Sequence, residues 1–227
     1  MKITKTIFLG DSITLGYGLE EQAKRFSSVF CQMIKCQEVN YGITGTLIAK
    51  TGPSLCNGTS FIDRYPDMED GDFVVVFGGT NDYFWSDIGI YGDNAWDDKY
   101  FINAVHHLCI GLKEKYKNKP ILFIVPYKQR GIGNYLGCAN AQDSNFHISD
   151  VENYTGNALK RYADTLCEVC SSNGIPVLDL YNDLGIDIAH SDEDYEKYTI
   201  DGCHPNENGH RYIAERLYEY CCNEGMM

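Results

Sequence analysis

Three residues that are far apart in the chain have the side chains needed to turn a hydroxyl into a nucleophile. Ser12 stands in FLGDSITLGYG, directly after the first apolar run. A serine hydroxyl attacks poorly unless a base takes its proton and a third group orients that base. Asp201 and His204 place a carboxylate three residues before an imidazole. The spacing therefore predicts Ser12 as nucleophile, His204 as base and Asp201 as orienting group.

Donors for a developing oxyanion are available at other junctions that follow apolar runs. The backbone N–H groups of Ser12 and Gly45 and the side-chain amide of Asn81 could bind the negative oxygen of a tetrahedral intermediate. Each junction alone is explained equally well by a turn or a helix cap. Because the junctions together supply nucleophile, base, orienting group and oxyanion donors, they favour a catalytic site.

Neighbours of these junction residues are candidates for a substrate pocket. The aromatic ones directly follow Asn81 and are expected at the mouth of the site, where their rings could stack on a sugar or bound a short acyl pocket. The alternative is that they fill the core. The candidate pocket residues are Asp11, Asp82, Tyr83, Phe84 and Trp85.

The sequence lacks the motifs of an α/β-hydrolase elbow, of a metal site and of a phosphate-binding loop. Position 14 is Thr, so there is no G-x-S-x-G elbow. There is no H-E-x-x-H pair and no glycine-rich loop that ends in Gly-Lys-Ser/Thr. Cys167 and Cys170 form a C-x-x-C, but no second pair follows at zinc-like spacing. The sequence therefore predicts no metal site.

Apolar runs alternate with amphipathic stretches, which indicates an α/β fold with a parallel sheet and helices on both faces. Strands are predicted at 6–9, 39–41, 72–79, 120–127 and 175–180, and helices at 26–34, 97–117, 150–172 and from Pro205 to about Cys222. Ligands of such sheets bind beyond the carboxyl ends of the strands. Residues 1–227 are expected to form a single domain. Residues 128–149 are predicted to be a loop insertion, either a lid or a plain surface excursion.

The composition limits the classes of partner that this protein can be expected to bind. The formal net charge of −13 disfavours binding to nucleic acid. No apolar run reaches the ~20 residues of a membrane span. The ten cysteines are scattered and MKITKTIFLG lacks the pattern of a signal peptide. We therefore expect free thiols and a cytoplasmic protein, while the oligomeric state stays open.

Four short stretches of the sequence resemble sequence blocks of the GDSL, or SGNH, hydrolase family. GDSIT is similar to its first block, VNYGITG to its second, GGTND to its third and DGCHPNENGH to its fifth. The resemblance implies a flavodoxin-like three-layer α/β/α sandwich with a five-stranded parallel sheet, and no metal or organic cofactor. It also implies the triad of Ser12, Asp201 and His204, with oxyanion donors at Ser12, Gly45 and Asn81. Gly42 is a nearby rival to Gly45.

The function expected from these residues and this resemblance is a serine esterase acting on small acyl esters, with a carbohydrate O-acetylester as the leading substrate. A lysophospholipase or thioesterase of the same family is the alternative within the enzyme class. A non-catalytic binding protein on the same fold is the alternative outside it, because a fold does not establish a function. An FMN protein with a flavodoxin-like fold is a third alternative, and it predicts a yellow preparation.

Overall fold

Five parallel strands form one sheet within the part of the chain that the structure describes. The computed structural model describes residues 2–50, 59–90, 97–130 and 151–227. The strands are Lys5–Gly10 (β1), Gln37–Gly42 (β2), Phe73–Phe77 (β3), Ile121–Val125 (β4) and Val177–Asp179 (β5). Their order is β2-β1-β3-β4-β5, and every pairing is parallel. The predicted α/β class with a parallel sheet is confirmed.

Helices connect and cover the strands. They are Ser12–Leu15 (α1), Phe26–Ile34 (α2), Phe61–Arg64 (α3), Thr80–Trp85 (α4), Phe101–Lys115 (α5), Leu159–Ser172 (α6), Leu180–Asp183 (α7), Asp192–Tyr198 (α8) and Glu207–Asn223 (α9). Single 3-10 turns occupy Gln22–Lys24 and Tyr65–Asp67. The helix predicted over 26–34 has those bounds, and the helix predicted over 97–117 is shorter at both ends.

One predicted helix start is wrong, and another lies two residues before the observed one. The helix expected over 150–172 begins only at Leu159, because the Asn153 side-chain oxygen accepts hydrogen bonds from two backbone N–H groups that follow it and so stabilises a turn. Pro205 precedes the last helix instead of opening it. The Asn206 side chain caps that helix by accepting hydrogen bonds from two backbone N–H groups of its first turn.

The central strands β1, β3 and β4 are buried on both faces, and the described residues pack into one core on each face of the sheet. Ile7 and Leu9 of β1 belong to one core, while Phe8 between them belongs to the other. The period of two follows from the alternation of side chains along a strand. Helices α5 and α6 cover the first core, and α2 and α9 cover the second. The result is the three-layer α/β/α arrangement that was predicted.

The strand order places a topological switch point beside β1. The chain moves from β1 to β2 on one side of it and then to β3 on the other side. Ligand sites of open parallel sheets lie at such a switch point, beyond the carboxyl ends of the strands. Ser12 begins α1 two residues after β1, and Asn81 lies in the first turn of α4 after β3. The topology thus brings these two residues to the same edge of the sheet.

The loop insertion predicted at 128–149 falls outside the described residues except for 128–130. Within the described ranges, no helix combines the length and apolar composition that crossing a bilayer requires.

Candidate active site

Ser12 and His204 are brought into hydrogen-bond contact across 192 positions of sequence. The Ser12 Oγ lies 3.0 Å from His204 Nε2, and both residues are buried. Ser12 is the first residue of α1, and the Asp11 side chain caps that helix by accepting a 3.0 Å hydrogen bond from the Ile13 N–H. The hydroxyl is therefore held at the edge of the sheet by a fixed backbone.

A short turn before α9 positions His204. The Ile200 N–H donates a 2.9 Å hydrogen bond to the His204 carbonyl, and Thr199 pairs with Pro205 in an antiparallel bridge. Asp201 Oδ1 accepts hydrogen bonds from the backbone N–H groups of Cys203 (3.0 Å) and His204 (2.7 Å). The carboxylate is thus fixed by the same turn that carries the imidazole.

The second oxygen of Asp201 reaches the imidazole. Asp201 Oδ2 lies 2.7 Å from His204 Nδ1, which leaves Nε2 for Ser12. Burial alone would raise the pKa of Asp201, but the hydrogen bonds and charge of His204 outweigh it and hold that pKa below its usual value. A carboxylate that stays ionised can stabilise an imidazolium and select the ring tautomer that activates a hydroxyl.

The candidate oxyanion donors are the backbone N–H groups of Ser12 and Gly45 and the side-chain amide of Asn81. The Gly42 N–H donates a 2.8 Å hydrogen bond to Asn40 Oδ1, so it is not available to a ligand. Within the described ranges, no hydrogen bond occupies the Gly45 N–H. The structure therefore favours Gly45 over its rival. The Asn81 Nδ2 donates to the Thr46 carbonyl at 3.0 Å and to Asp11 Oδ2 at 3.4 Å, so an oxyanion would take the place of the longer of these two bonds.

Two buried carboxyl groups support this edge of the sheet. Asp82 accepts 2.9 Å hydrogen bonds from the N–H groups of Ile48 and Ala49, which fastens the segment that follows Gly45. Burial raises the pKa of Asp82 to about 7, and the nearby Asp11 carboxyl adds to the increase. Burial likewise raises the pKa of Asp11 to about 6, against the lowering effect of the Ile13 N–H bond. Both groups are buried, and both are hydrogen-bonded to backbone N–H groups of the segments that follow Ser12 and Gly45.

The aromatic residues expected at the mouth of the site lie elsewhere. Tyr83 and Phe84 are buried in the core that α5 and α6 cover, and Trp85 packs against the same core. The Tyr83 hydroxyl donates a 2.9 Å hydrogen bond to the Val151 carbonyl. Tyr83 and Phe84 therefore follow the alternative that these rings fill the core, because α4 leads the chain away from the strand end, and Trp85 is partly buried against the same core.

Sequence reasoning missed Arg64, at the end of α3. Its guanidinium donates hydrogen bonds to the carbonyls of Gly10 (3.1 Å) and Tyr41 and to Thr46 Oγ1 (2.9 Å). The Arg64 side chain is thus hydrogen-bonded to the ends of β1 and β2 and to the residue after Gly45. No motif marks this arginine, because the three acceptors become neighbours only in the folded chain.

Tyr17 was also missed. Its ring centroid lies 4.6 Å from that of His204, at an interplanar angle of 44°. Its place in the sequence, five residues after Ser12, gave no sign of that contact. As for metals, the described ranges hold no group of three or more His, Cys, Asp or Glu side chains arranged to bind an ion.

Comparison with known proteins agrees with the geometry. A model of the GDSL-like Lipase/Acylhydrolase family matches residues 8–212. The chain belongs to this family. The match begins before Ser12 and ends after His204, so it covers every residue of the candidate triad. The predicted family is therefore confirmed, and with it the relation to lipases and acylhydrolases.

Solved structures support the fold of this GDSL-like protein. A protein from Lactobacillus plantarum has 28% identity and a TM-score of 0.82, with 98% of both chains covered. A member of the lipolytic protein G-D-S-L family from Veillonella parvula has 17% identity and a TM-score of 0.59, with 95% of this chain and 97% of that chain covered. The acetyl xylan esterase AlAXEase has 21% identity and a TM-score of 0.61, with 95% and 98% covered. The last two likenesses concern the fold alone. No curated protein matched the sequence.

Proposed function

We propose that this GDSL-like protein is a serine esterase that hydrolyses esters of small acyl groups, with acetyl esters of carbohydrates as its leading substrates. The observation that carries the proposal is the continuous contact from Ser12 Oγ to His204 Nε2 (3.0 Å) and from His204 Nδ1 to Asp201 Oδ2 (2.7 Å). Nucleophile, base and orienting group in this relation are the parts that acyl transfer requires.

The proposed reaction has two steps. Ser12 Oγ attacks the ester carbonyl while His204 Nε2 takes its proton, and the carbonyl oxygen becomes an oxyanion that the Ser12 and Gly45 N–H groups and the Asn81 amide bind. The tetrahedral intermediate collapses, the ester C–O bond breaks, and His204 gives its proton to the leaving alcohol. Water then attacks the acyl-enzyme with His204 again as base, which releases the acid and restores the Ser12 hydroxyl.

The surroundings of the proposed oxyanion hole favour a short acyl group. Thr46, Leu47 and Ile48 follow Gly45 and are at most 2% exposed. Asp82 fixes the end of this segment through the Ile48 and Ala49 N–H groups. Because this segment is packed and hydrogen-bonded, it has little freedom to move aside for a long acyl chain. This supports acetyl or a similarly small group in preference to a long acyl chain.

Two observations support a carbohydrate as the alcohol half of the ester. One structure with the same fold is an acetyl xylan esterase, so this fold serves deacetylation of a carbohydrate in another protein. The net charge of −13 also favours an uncharged substrate over an anionic one.

Hydrolysis of p-nitrophenyl acetate, butyrate and octanoate by the wild type and Ser12→Ala tests the proposal. Ser171→Ala is the control, because Ser171 is exposed near the end of α6. We expect turnover that depends on Ser12, is fastest with acetate and is retained in the control. Fastest turnover with octanoate would favour a lysophospholipase or thioesterase. Equal rates for wild type and Ser12→Ala would contradict the esterase proposal and favour a binding protein.

A further inference from the structure

Two exposed apolar side chains border the candidate triad. Tyr17 is 48% exposed and Ile200 is 47% exposed, although Ser12 and His204 beside them are buried. Each of the two residues donates a backbone hydrogen bond to a residue of the triad. The Tyr17 N–H donates a 2.9 Å hydrogen bond to the Ser12 carbonyl, and the Ile200 N–H donates one of 2.9 Å to the His204 carbonyl. Their positions are therefore set by the triad residues themselves.

The end of α1 explains why Tyr17 lies over the imidazole. Gly16 has a left-handed conformation with φ of 83°, and its N–H bonds to the Ile13 carbonyl at 3.1 Å. With the Tyr17 bond to Ser12, this is a Schellman motif, which reverses the direction of the chain after a helix. The next residue, Gly18, allows Ile200 to approach, because a Cβ there would lie 2.5 Å from Ile200 Cδ1.

The chemistry of ester cleavage indicates which half of the ester lies near Tyr17 and Ile200. In the proposed reaction the oxyanion is bound by the Ser12 and Gly45 N–H groups and the Asn81 amide. The leaving oxygen must face His204 Nε2, because that nitrogen returns the proton to it. The alcohol half of the ester therefore extends from the imidazole, on the side where the Tyr17 ring lies against His204 and the Ile200 side chain lies next to Gly18.

We infer that Tyr17 and Ile200 form the binding site for the alcohol half of the substrate, and that this half is an uncharged ring alcohol such as a pyranose. This inference rests on the proposed esterase function. An exposed aromatic ring that is held in place offers a flat apolar face to the C–H face of a sugar ring. Ile200 adds apolar contact at the side. Neither residue offers a charge, which agrees with a neutral alcohol.

The test compares two acetates that differ only in the alcohol, ethyl acetate and a monoacetate of methyl β-xylopyranoside. The measured quantity is the ratio of kcat/KM for the pyranoside acetate to kcat/KM for ethyl acetate. Tyr17→Ala should lower this ratio about twofold to tenfold, which corresponds to the ~0.5–1.5 kcal/mol of a ring contact. Tyr17→Phe should keep the ratio, because it keeps the ring. Ile90→Ala, at an apolar position that is 72% exposed, is the control.

The outcomes separate this inference from the proposal on which it rests. If both substrates lose activity equally in Tyr17→Ala, the ring acts on His204 and the inference is overturned. An unchanged ratio in Tyr17→Ala and Ile200→Ser would also overturn it, while hydrolysis that depends on Ser12 would leave the esterase proposal standing. Hydrolysis of ethyl acetate by Ser12→Ala at the wild-type rate would instead contradict the esterase itself.

Discussion

The Asn81 side-chain amide donates a 3.0 Å hydrogen bond to the carbonyl of Thr46, the residue after Gly45. Two proposed oxyanion donors, one from α4 and one from the segment after β2, are therefore fixed relative to each other before any substrate binds. Donors that are preorganised in this way need no reorganisation as the negative charge develops. The contact joins two segments that are 35 residues apart in sequence.

Replacing Asn81 tests the third donor. Asn81→Ala should lower kcat about 10²–10³-fold with little change in KM, because the lost hydrogen bond strengthens only as the oxyanion forms. Asn81→Asp is the matched variant of similar size. It cannot donate and adds a negative charge, so its kcat should be at least as low. A rate near wild type for Asn81→Ala, measured with p-nitrophenyl acetate, would remove Asn81 from the proposed hole.

Replacing Asp201 tests the orientation of the base. In Asp201→Asn the amide oxygen can still accept from the His204 and Cys203 N–H groups, so the turn should persist. The amide NH₂ would then face His204 Nδ1 and favour the wrong ring tautomer. We expect kcat to fall about 10³–10⁴-fold while the thermal unfolding midpoint changes little. A loss of less than about tenfold would show that Asp201 is dispensable for orienting His204.

Replacing Arg64 tests whether its guanidinium positions the proposed hole. Arg64→Ala should lower kcat by up to about 10²-fold, because small displacements of the Gly10 and Thr46 segments misplace the donors. Arg64→Lys should recover only part of the loss, since a compact ammonium cannot span three acceptors. Added guanidinium at a non-denaturing concentration should raise the rate of Arg64→Ala. A rise of equal size in the wild type would contradict a specific role.

Stability should depend on pH through Asp82. Its pKa rises from about 3.9 in an unfolded chain to about 7 in the folded protein. Its contribution to stability is therefore complete below about pH 4 and is lost as the pH rises through about 7. We expect the wild-type advantage over Asp82→Asn in the free energy of unfolding to shrink between pH 4 and pH 7.5, measured by urea unfolding. A constant difference would contradict a raised pKa at this position.

Residue type and position at a strand end were enough to predict some of the residues that the structure brings together in the candidate site. Ser12, Asn81 and His204 each stand beside a strand end or a helix start, and such junctions meet at one edge of a parallel sheet. Contacts that depend on the course of a short element could not be predicted. Tyr83 was placed at the mouth because it follows Asn81, but α4 carries it into the core. Arg64 was missed because its acceptors are brought together only by folding.

The covalent step is the most direct test of the proposed nucleophile. The wild type and His204→Ala are treated with a fluorophosphonate, a reagent that labels activated serines, and the modified peptide is identified by mass spectrometry. We predict a single label on Ser12 in the wild type and strongly reduced labelling in His204→Ala, because the proposed mechanism has the imidazole activate the hydroxyl that lies 3.0 Å from its Nε2. A label on another residue, or equal labelling of Ser12 in both proteins, would contradict a nucleophile activated by His204.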